Sequence, residues 1–284
     1  MPAKYGNNQP LDSFGVRRFI SLLLAAIFVG FTGADAGLAQ SSSEQGSRIA
    51  KNGFRNEFEI AAKFNNWRTD REAAVWLEFM GYRAAEVVAV SATKPHGQKA
   101  DILVRVRTKA AETVEGVSIK LVSSTRGFNQ IDKRWLRQYA VKWRMPADVE
   151  EALKLFTGEV KPDRPSRNAT RMFLSELTVD QQRLIADFFT RNKAEIVSDL
   201  FSGDGEHSAE WMMVALKSSE KPRWVLRSID HTIKYFSEGP IEITRQGNLR
   251  IGRITMQRKG GDGGRETAKM LQFKINPALL FEGK

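Results

Sequence analysis

Apolar and polar residues alternate along short segments in the middle of the chain, and the same pattern returns near its C-terminal end. The segments ILVRVR and VSIKLV place apolar residues at every second position, which is typical of half-buried β-strands. The polar connection TKAAETVEG between them is long enough for the chain to turn back. Further predicted strands are EVVAVSA before this pair and, after Gly205, EWMMVALKS, RWVLRSI, PIEITR, LRIGRITMQR and MLQFKI.

Helical periodicity fills much of the remaining chain. DREAAVWLEFMGY predicts a helix that Gly81 ends, because glycine is common just beyond a helix C-terminus. KRWLRQYAVKW, most of residues 147–202 and DHTIKYF also favour helices, whereas TRGFNQID and KPDRPSRN predict loops. The mixture predicts an α/β or α+β fold with a mixed central sheet flanked by helices. Residues 47–64 predict a first helix whose apolar side is formed by Ile49, Phe54, Phe58, Ile60, Ala61 and Phe64.

Residues 1–46 differ from the rest of the chain. Arg17 and Arg18 precede the apolar run FISLLLAAIFVGF, and the small residues Gly37 and Ala39 follow it. This is the layout of a secretory signal peptide, and the apolar run is too short for a confident membrane span. We predict an apolar, disordered extension that is either signal-like or the product of a mis-assigned start, followed by one domain over residues 47–284.

Charge sets this chain apart from an ordinary globular protein. Its 44 Lys and Arg residues against 33 Asp and Glu give a net charge of +11, which favours a polyanionic partner. The chain has no cysteine, so disulfides, thiolate catalysis and Cys-bearing zinc sites are excluded. The three histidines, His96, His207 and His231, are scattered, which argues against a histidine-rich metal site.

Asp101, Ser118 and Lys120 lie on the two strands joined by TKAAETVEG. If these strands pair side by side, the three side chains can share one face of the sheet, because residues two apart in a strand point the same way. A carboxylate beside an ammonium suits metal-assisted phosphodiester cleavage, in which the carboxylate binds a hard cation. The alternative interpretation is a plain surface ion pair.

Glu57, with Glu59 close by, lies on the helix that precedes the sheet. A carboxylate from a neighbouring helix could complete a metal site in which Ser118 supplies no anion. Both residues could equally be solvated charges on a helix surface.

Two loops combine basic residues with groups that suit nucleic-acid binding. In STRGFNQIDKRW, Phe128 lies among Arg126, Asn129 and Gln130, so it can wedge between bases while the amides read base edges. Alternatively, Phe128 folds onto the core and the amides cap the next helix. MQRKGGDGGRETAK lacks the order of a nucleotide-binding P-loop, but a flexible basic loop can enter a DNA groove; a plain hairpin loop is the alternative.

From about residue 47 to residue 281 the chain resembles the HinP-type, GCGC-cutting type II restriction endonucleases of the PD-(D/E)XK superfamily. The segments that carry the resemblance are AKNGFRNEFEIAAKFNNW, KADILVRV, VSIKLVSSTRGFNQIDKRWL, FTGE, AEWMMVA and GRITMQRKGGDGGRETAKMLQFKINPALLF. The resemblance implies a restriction-endonuclease-like core and an Mg²⁺-dependent enzyme that binds a short palindromic GC-rich site in double-stranded DNA. It further implies cleavage 5′ to the first cytosine of GCGC.

The resemblance also assigns roles to individual residues. Asp101 matches the metal-binding aspartate and Lys120 the catalytic lysine. Ser118 stands where the superfamily usually has Glu or Asp and where this family has Gln, so the metal site is expected to depend more on Glu57 or on water. The implied DNA-binding residues are Lys51, Asn52 and Arg55 on the first helix, Arg126, Phe128, Asn129 and Gln130 in the next loop, and Gln257, Arg258, Lys259, Asp262 and Arg265 around the glycine-rich loop.

A restriction enzyme acts inside the cell, so a cytoplasmic address, a companion DNA methyltransferase, a possible homodimer and no membrane partner are expected. Two rival functions remain open. One is a DNA-binding protein whose catalysis is weakened by the serine at position 118. The other is an exported, non-specific nuclease, which requires the N-terminal segment to be a real signal.

Overall fold

The structure, a computed structural model, describes residues 47–48, 51–95, 99–205, 207–218, 221–261 and 264–282. The signal-like segment predicted at residues 1–46 lies outside these ranges, as do Ile49 and Asp262. The helices are α1 (residues 51–65), α2 (Arg71–Phe79), α3 (Leu136–Lys142), α4 (Ala147–Thr157), α5 (Val179–Arg191), α6 (Lys193–Ser202) and α7 (Ile229–Ser237). The strands are β1 (Val87–Thr93), β2 (Ile102–Thr108), β3 (Glu112–Val122), β4 (Asn129–Arg134), β5 (Trp211–Leu216), β6 (Arg223–Ser228), β7 (Ile241–Ile243), β8 (Leu249–Ile251), β9 (Ile254–Arg258) and β10 (Leu271–Ile275).

The predicted mixed sheet flanked by helices is confirmed. Its five strands follow the order β1-β2-β3-β5-β6, in which β3 and β5 are parallel and the other neighbours are antiparallel. Parallel neighbours need a long crossover, and here the chain forms β4 and helices α3 to α6 between β3 and β5. The crossover therefore contains four of the seven helices α1 to α7.

The strand pattern did not predict a second, separate sheet. That sheet has five antiparallel strands in the order β4-β10-β9-β8-β7. Its strand β4 begins at Asn129, inside TRGFNQID, for which a loop was predicted, and ends at Arg134, inside KRWLRQYAVKW, for which a helix was predicted; both predictions are wrong for these residues. Residues 129–134 contain one strongly apolar side chain, so they become a strand only because β10, about 140 residues later, pairs with them.

Two strand boundaries also differ from prediction. β3 begins at Glu112, so the turn after β2 is shorter than TKAAETVEG; Glu112 pairs with Arg107 in register and forms an ion pair with Arg105. The segment LRIGRITMQR is two strands, with Ile251 paired to Ile254 across a tight turn. Gly252 in that turn has φ +58°, and a Cβ there would meet three carbonyl oxygens within 2.7 Å, so only glycine fits.

The first helix buries one face against the mixed sheet, and the predicted face is partly wrong. Ile60 and Phe64 are fully buried in a core that includes Trp76 of α2. Phe54 and Phe58, however, are 54% and 63% exposed, because their strip of the helix is not covered by the sheet. Lys94 instead lies over both rings, with Nζ 4.0 Å from the Phe54 centroid and 5.3 Å from that of Phe58.

Asp132 of β4 links the second sheet to the segment that leads into β2. Its carboxylate accepts hydrogen bonds from Lys99 Nζ at 3.2 Å, Arg134 at 2.8 Å and Tyr139 Oη at 2.6 Å. Lys99 also donates to the carbonyl of Ile131 at 3.0 Å. Burial lowers the pKa of Lys99, and Asp132 acts in the opposite direction. This network fixes the chain two residues before Asp101.

Within the described ranges, no helix is both long enough and apolar enough to cross a membrane.

Candidate active site

The register of β2 and β3 places Asp101 opposite Ser118. Ile102 pairs with Val117, and the Asp101 amide donates to the Val117 carbonyl at 2.9 Å. Ile102 and the residues two and four further on are buried in the core beneath α1, so Asp101 projects from the other face of the sheet. Ser118 and Lys120 project from that face as well.

The side chains of Asp101, Ser118 and Lys120 lie within 3.7 Å of one another, as the sequence predicted. Asp101 Oδ2 accepts hydrogen bonds from the Ile119 amide at 2.5 Å and from Ser118 Oγ at 3.3 Å. Lys120 Nζ lies 3.7 Å from the same oxygen, 3.2 Å from Ser118 Oγ and 3.2 Å from the Ile119 carbonyl oxygen. Ser118 is buried, whereas the Asp101 side chain is 28% exposed. The site therefore has one carboxylate, one ammonium and a buried hydroxyl between them.

Glu57 of α1 lies within electrostatic reach of this cluster. Burial raises the pKa of Glu57, the Asp101 carboxylate raises it further, and the Lys94 and Lys120 ammonium groups act against both. Lys94 forms a close ion pair with Glu57. Glu59 lies elsewhere and pairs with Lys217 at 2.5 Å. The helix thus offers the cluster one carboxylate, not two.

The donor set suits a small hard cation. Asp101 Oδ1 accepts no hydrogen bond from the described residues, so it is free to bind a cation. Mg²⁺ prefers oxygen ligands, keeps several waters and needs only one or two protein carboxylates, which Asp101 and Glu57 can provide. Among the described residues, no group of three or more His, Cys, Asp or Glu could hold a metal, so any metal here depends on water or substrate for its other ligands.

The predicted DNA-binding residues of α1 belong to the helix that packs on the face of the mixed sheet opposite Ser118 and Lys120. Lys51, Asn52 and Arg55 are exposed. Asn52 and Arg55 line a cavity of about 280 Å³ whose other lining residues are Asn56, Leu121, Ser123 and Lys217. Leu121 directly follows Lys120 in β3, so its side chain points to the opposite face of the sheet, and the cavity opens on the face that α1 covers.

The loop after β3 presents Phe128 to solvent. Phe128 is 62% exposed, so the alternative in which it folds onto the core does not hold. Asn129 and Gln130 lie in β4 and do not cap α3; Asn129 Nδ2 donates to the Leu121 carbonyl at 2.9 Å. Arg126 is exposed. The loop is thereby tied to the strand that carries Ser118 and Lys120.

The glycine-rich loop lies at the other end of the second sheet. It joins β9 to β10, and β10 pairs with β4 so that Leu271 faces Arg134 and Ile275 faces Asn129. The Phe128 loop and the glycine-rich loop are thus separated by the length of a five-residue strand, about 17 Å. The structure does not bring them together, although both flank one sheet.

Residues around the glycine-rich loop differ in their burial and in their hydrogen bonds to the rest of the protein. Arg258 Nε donates to the Thr157 carbonyl at 2.7 Å, and burial lowers its pKa, so this arginine is partly built into the fold. Gln257 is half-buried and pairs in register with Gln272. Lys259 is half-buried, whereas Arg265 is exposed.

Three residues on or beside α1 were not predicted from the sequence. Lys94 pairs with Glu57, Lys217 pairs with Glu59, and Asn56 lines the cavity of about 280 Å³. Lys94 directly follows β1, and Lys217 directly follows β5. A charged residue at the end of a strand is the one signal that could have marked them. Asn56 carried a signal in its spacing, four residues before the buried Ile60.

The fold is that of a restriction endonuclease. The crystal structure of restriction endonuclease MspI in complex with its cognate DNA matches this chain with a TM-score of 0.58 at 12% identity. The match covers 82% of this chain and 92% of that chain. At this identity the likeness shows the fold alone. No curated protein sequence matches the chain.

The family follows from the sequence. The family model described as R.HinP1I restriction endonuclease matches residues 80–281, which is most of the chain. The chain therefore belongs to the R.HinP1I restriction endonuclease family, and the resemblance stated above is confirmed. It is a type II site-specific deoxyribonuclease.

Proposed function

We propose that this endonuclease uses Mg²⁺ to cleave double-stranded DNA at GCGC. The observation that carries the proposal is the meeting of Asp101, Ser118 and Lys120 on one face of the mixed sheet, with Lys120 Nζ 3.7 Å from Asp101 Oδ2. The family indicates DNA as the substrate class. The GCGC specificity is inferred from the resemblance of the loop segments to those of the GCGC-cutting enzymes.

Asp101 and Glu57 would hold the metal ion. A Mg²⁺ ion held there would supply an activated water and positive charge to offset the charge on the phosphate. Lys120 donates through its ammonium to the attacking oxygen or to a phosphate oxygen, where negative charge develops in the transition state. Ser118 holds the Asp101 carboxylate in place through its hydroxyl, 3.3 Å from Oδ2.

The DNA-binding surface is proposed to run from α1 past the Phe128 loop to the glycine-rich loop. The length of β10 between the two loops, about 17 Å, corresponds to about five base pairs at 3.4 Å each, so one duplex can contact both. MspI was crystallised with its cognate DNA, and its fold is shared over most of this chain. The proposed contacts are Lys51, Asn52, Arg55, Arg126, Phe128, Asn129, Gln130, Gln257, Arg258, Lys259, Arg265 and, outside the described residues, Asp262.

A palindromic site suits a two-fold symmetric enzyme, so a homodimer and a companion methyltransferase that protects the host DNA belong to the proposal. The proposed address is cytoplasmic, with residues 1–46 as an extension ahead of an endonuclease domain over residues 47–284. Mass spectrometry of the native N-terminus tests this address. A chain that begins after residue 39 would support export instead.

A digest of DNA with known sites tests the proposed function. With Mg²⁺, the protein is expected to give discrete fragments whose ends map to GCGC, and no cleavage is expected in EDTA. Smeared products would favour a non-specific nuclease. Retention on GC-rich DNA without nicking would favour a DNA-binding protein that has lost catalysis.

A further inference from the structure

Asn56 breaks the pattern of the buried face of α1. Ile60 and Phe64, four and eight residues further on, share its face and are fully buried. Asn56 is itself only 2% exposed. An apolar side chain would suit this position, yet the sequence places an amide there. Neither Nδ2 nor Oδ1 of this amide has a hydrogen-bond partner among the residues that the structure describes.

A buried amide without partners destabilises the protein that contains it, because both polar atoms lose water and gain nothing in return. Asn65, on the same helix, shows the ordinary arrangement. Its Nδ2 donates to the Ala92 carbonyl at 3.2 Å, and its Oδ1 accepts from the Ala92 amide at 2.7 Å. The burial of Asn65 is explained by these two hydrogen bonds. The burial of the Asn56 amide has no such explanation within the described residues.

The surroundings of Asn56 have the composition of a phosphate site. The amide lines the cavity of about 280 Å³ together with Arg55, Asn52, Ser123 and Lys217. Arg55 forms no ion pair with any carboxylate of the described residues. Amide, hydroxyl and guanidinium donors that line one cavity suit an oxyanion, and the cavity lies against Leu121 of β3, the strand that also carries Lys120 on its opposite face.

We propose that this cavity holds a backbone phosphate of the bound duplex, with Asn56 Nδ2 as its buried donor and Arg55 as its charged partner. The proposal rests on the proposed function, because it takes DNA as the substrate. The exposed side chains of Asn52 and Arg55 shift to admit a phosphate oxygen to the amide. A phosphate held here fixes the DNA backbone against α1 and β3, the strand that carries Lys120, so Asn56 is a positioning residue and not a catalytic one.

Replacement of Asn56 by an apolar residue is expected to preserve or raise stability while it weakens DNA binding. Asn56→Leu removes an unpartnered amide from a buried position, so its Tm is expected to equal or exceed that of the wild type. Its affinity for duplex DNA is expected to fall about tenfold, equally for a GCGC duplex and a scrambled one, because a phosphate contact carries no sequence information. Asn56→Asp, which has the same shape, is expected to lose more affinity through charge repulsion.

The experiment measures Tm by calorimetry and DNA binding by fluorescence anisotropy in EDTA at several salt concentrations, with cleavage in Mg²⁺ assayed in parallel. Asn65→Leu is the matched control, and it is expected to lower Tm by about 2–4 °C with unchanged affinity. Arg55→Gln is expected to reduce the salt dependence of binding by about one charge, whereas Asn56→Leu leaves that dependence unchanged.

Three results would overturn the inference. They are wild-type affinity in both Asn56 variants, a fall in Tm of Asn56→Leu comparable to that of Asn65→Leu, and a loss of affinity confined to one DNA sequence. If the wild type binds DNA while the variants behave in one of these ways, the endonuclease function stands and the phosphate site alone is lost. A wild-type protein that neither binds nor cleaves DNA would remove both.

Discussion

Ser118 donates a hydrogen bond from Oγ to Oδ2 of Asp101 at 3.3 Å. The hydroxyl is buried and uncharged, so Asp101 supplies the carboxylate nearest to the Lys120 ammonium. The same oxygen also accepts from the Ile119 amide, which leaves Oδ1 as the oxygen that can bind a cation. The serine is therefore placed to orient the aspartate and supplies no negative charge of its own.

Ser118→Ala is expected to slow cleavage modestly. The loss of one neutral hydrogen bond to the aspartate corresponds to about 0.5–1.5 kcal/mol, or roughly a two- to tenfold lower rate at saturating Mg²⁺. Single-turnover cleavage of a GCGC duplex measures this rate. Ser237→Ala removes a surface hydroxyl that donates to the Lys234 carbonyl at 2.9 Å, and it should not change the rate. A loss of more than a thousandfold in Ser118→Ala would mean that the hydroxyl itself binds the metal.

Glu57→Gln is expected to raise the Mg²⁺ concentration needed for half-maximal cleavage by at least about tenfold, because one of two candidate carboxylate ligands is lost. Glu59→Gln is the matched control, since Glu59 lies two residues away on the same helix and pairs with Lys217. A Mg²⁺ titration of cleavage compares the two variants. Equal titration curves for Glu57→Gln and the wild type would remove Glu57 from the metal site.

Arg265→Gln is expected to reduce discrimination between GCGC and sites with one altered base pair. Arg265 is exposed, and a bidentate contact to guanine is worth about 1–3 kcal/mol of discrimination. Arg126→Gln, in the Phe128 loop, is expected to weaken binding to all duplexes alike through loss of a phosphate contact. Cleavage rates on a panel of single-substitution sites measure both effects. Unchanged site preference in Arg265→Gln would show that this arginine reads no base.

Glu176 is expected to stabilise the protein at neutral pH. Burial alone would raise the pKa of Glu176, but the backbone amides of Phe173 and Arg167, with Ser166 and the Arg167 side chain, lower it to about 2. Because the pKa in the folded state is below the ordinary value of 4.5, this stability is present above pH 4.5 and is lost as the pH falls towards 2.

The free energy of unfolding by urea, measured from pH 7 to pH 3, checks this expectation. Glu176→Gln should be less stable than the wild type by about 1–3 kcal/mol at pH 7, with a gap that narrows on acidification. Glu151→Gln serves as the control, because the Glu151 side chain is 65% exposed and its pair with Lys154 contributes little. A gap that stays constant with pH would show that the Glu176 charge is not the cause.

Local patterns predicted the mixed sheet and the meeting of Asp101 with Lys120, because alternation fixes which side chains share a strand face. They failed where distant residues decide the structure. Strand β4 exists through its pairing with β10, and the exposure of Phe54 and Phe58 depends on where the sheet ends against α1. The free amide of Asn56 is equally a property of the assembled fold, since the same residue type at position 65 finds both its partners on β1.

The most direct test of the central claim is single-turnover cleavage of a GCGC duplex by the wild type and by Lys120→Ala, with binding measured in EDTA. In Mg²⁺ the wild type should cut at GCGC. Cleavage by Lys120→Ala should be slower by at least about a hundredfold, because the negative charge that develops in the transition state loses the Lys120 ammonium as its hydrogen-bond donor. The affinity of Lys120→Ala for DNA should stay within about 1 kcal/mol of the wild type. Turnover by Lys120→Ala at the wild-type rate would contradict the account.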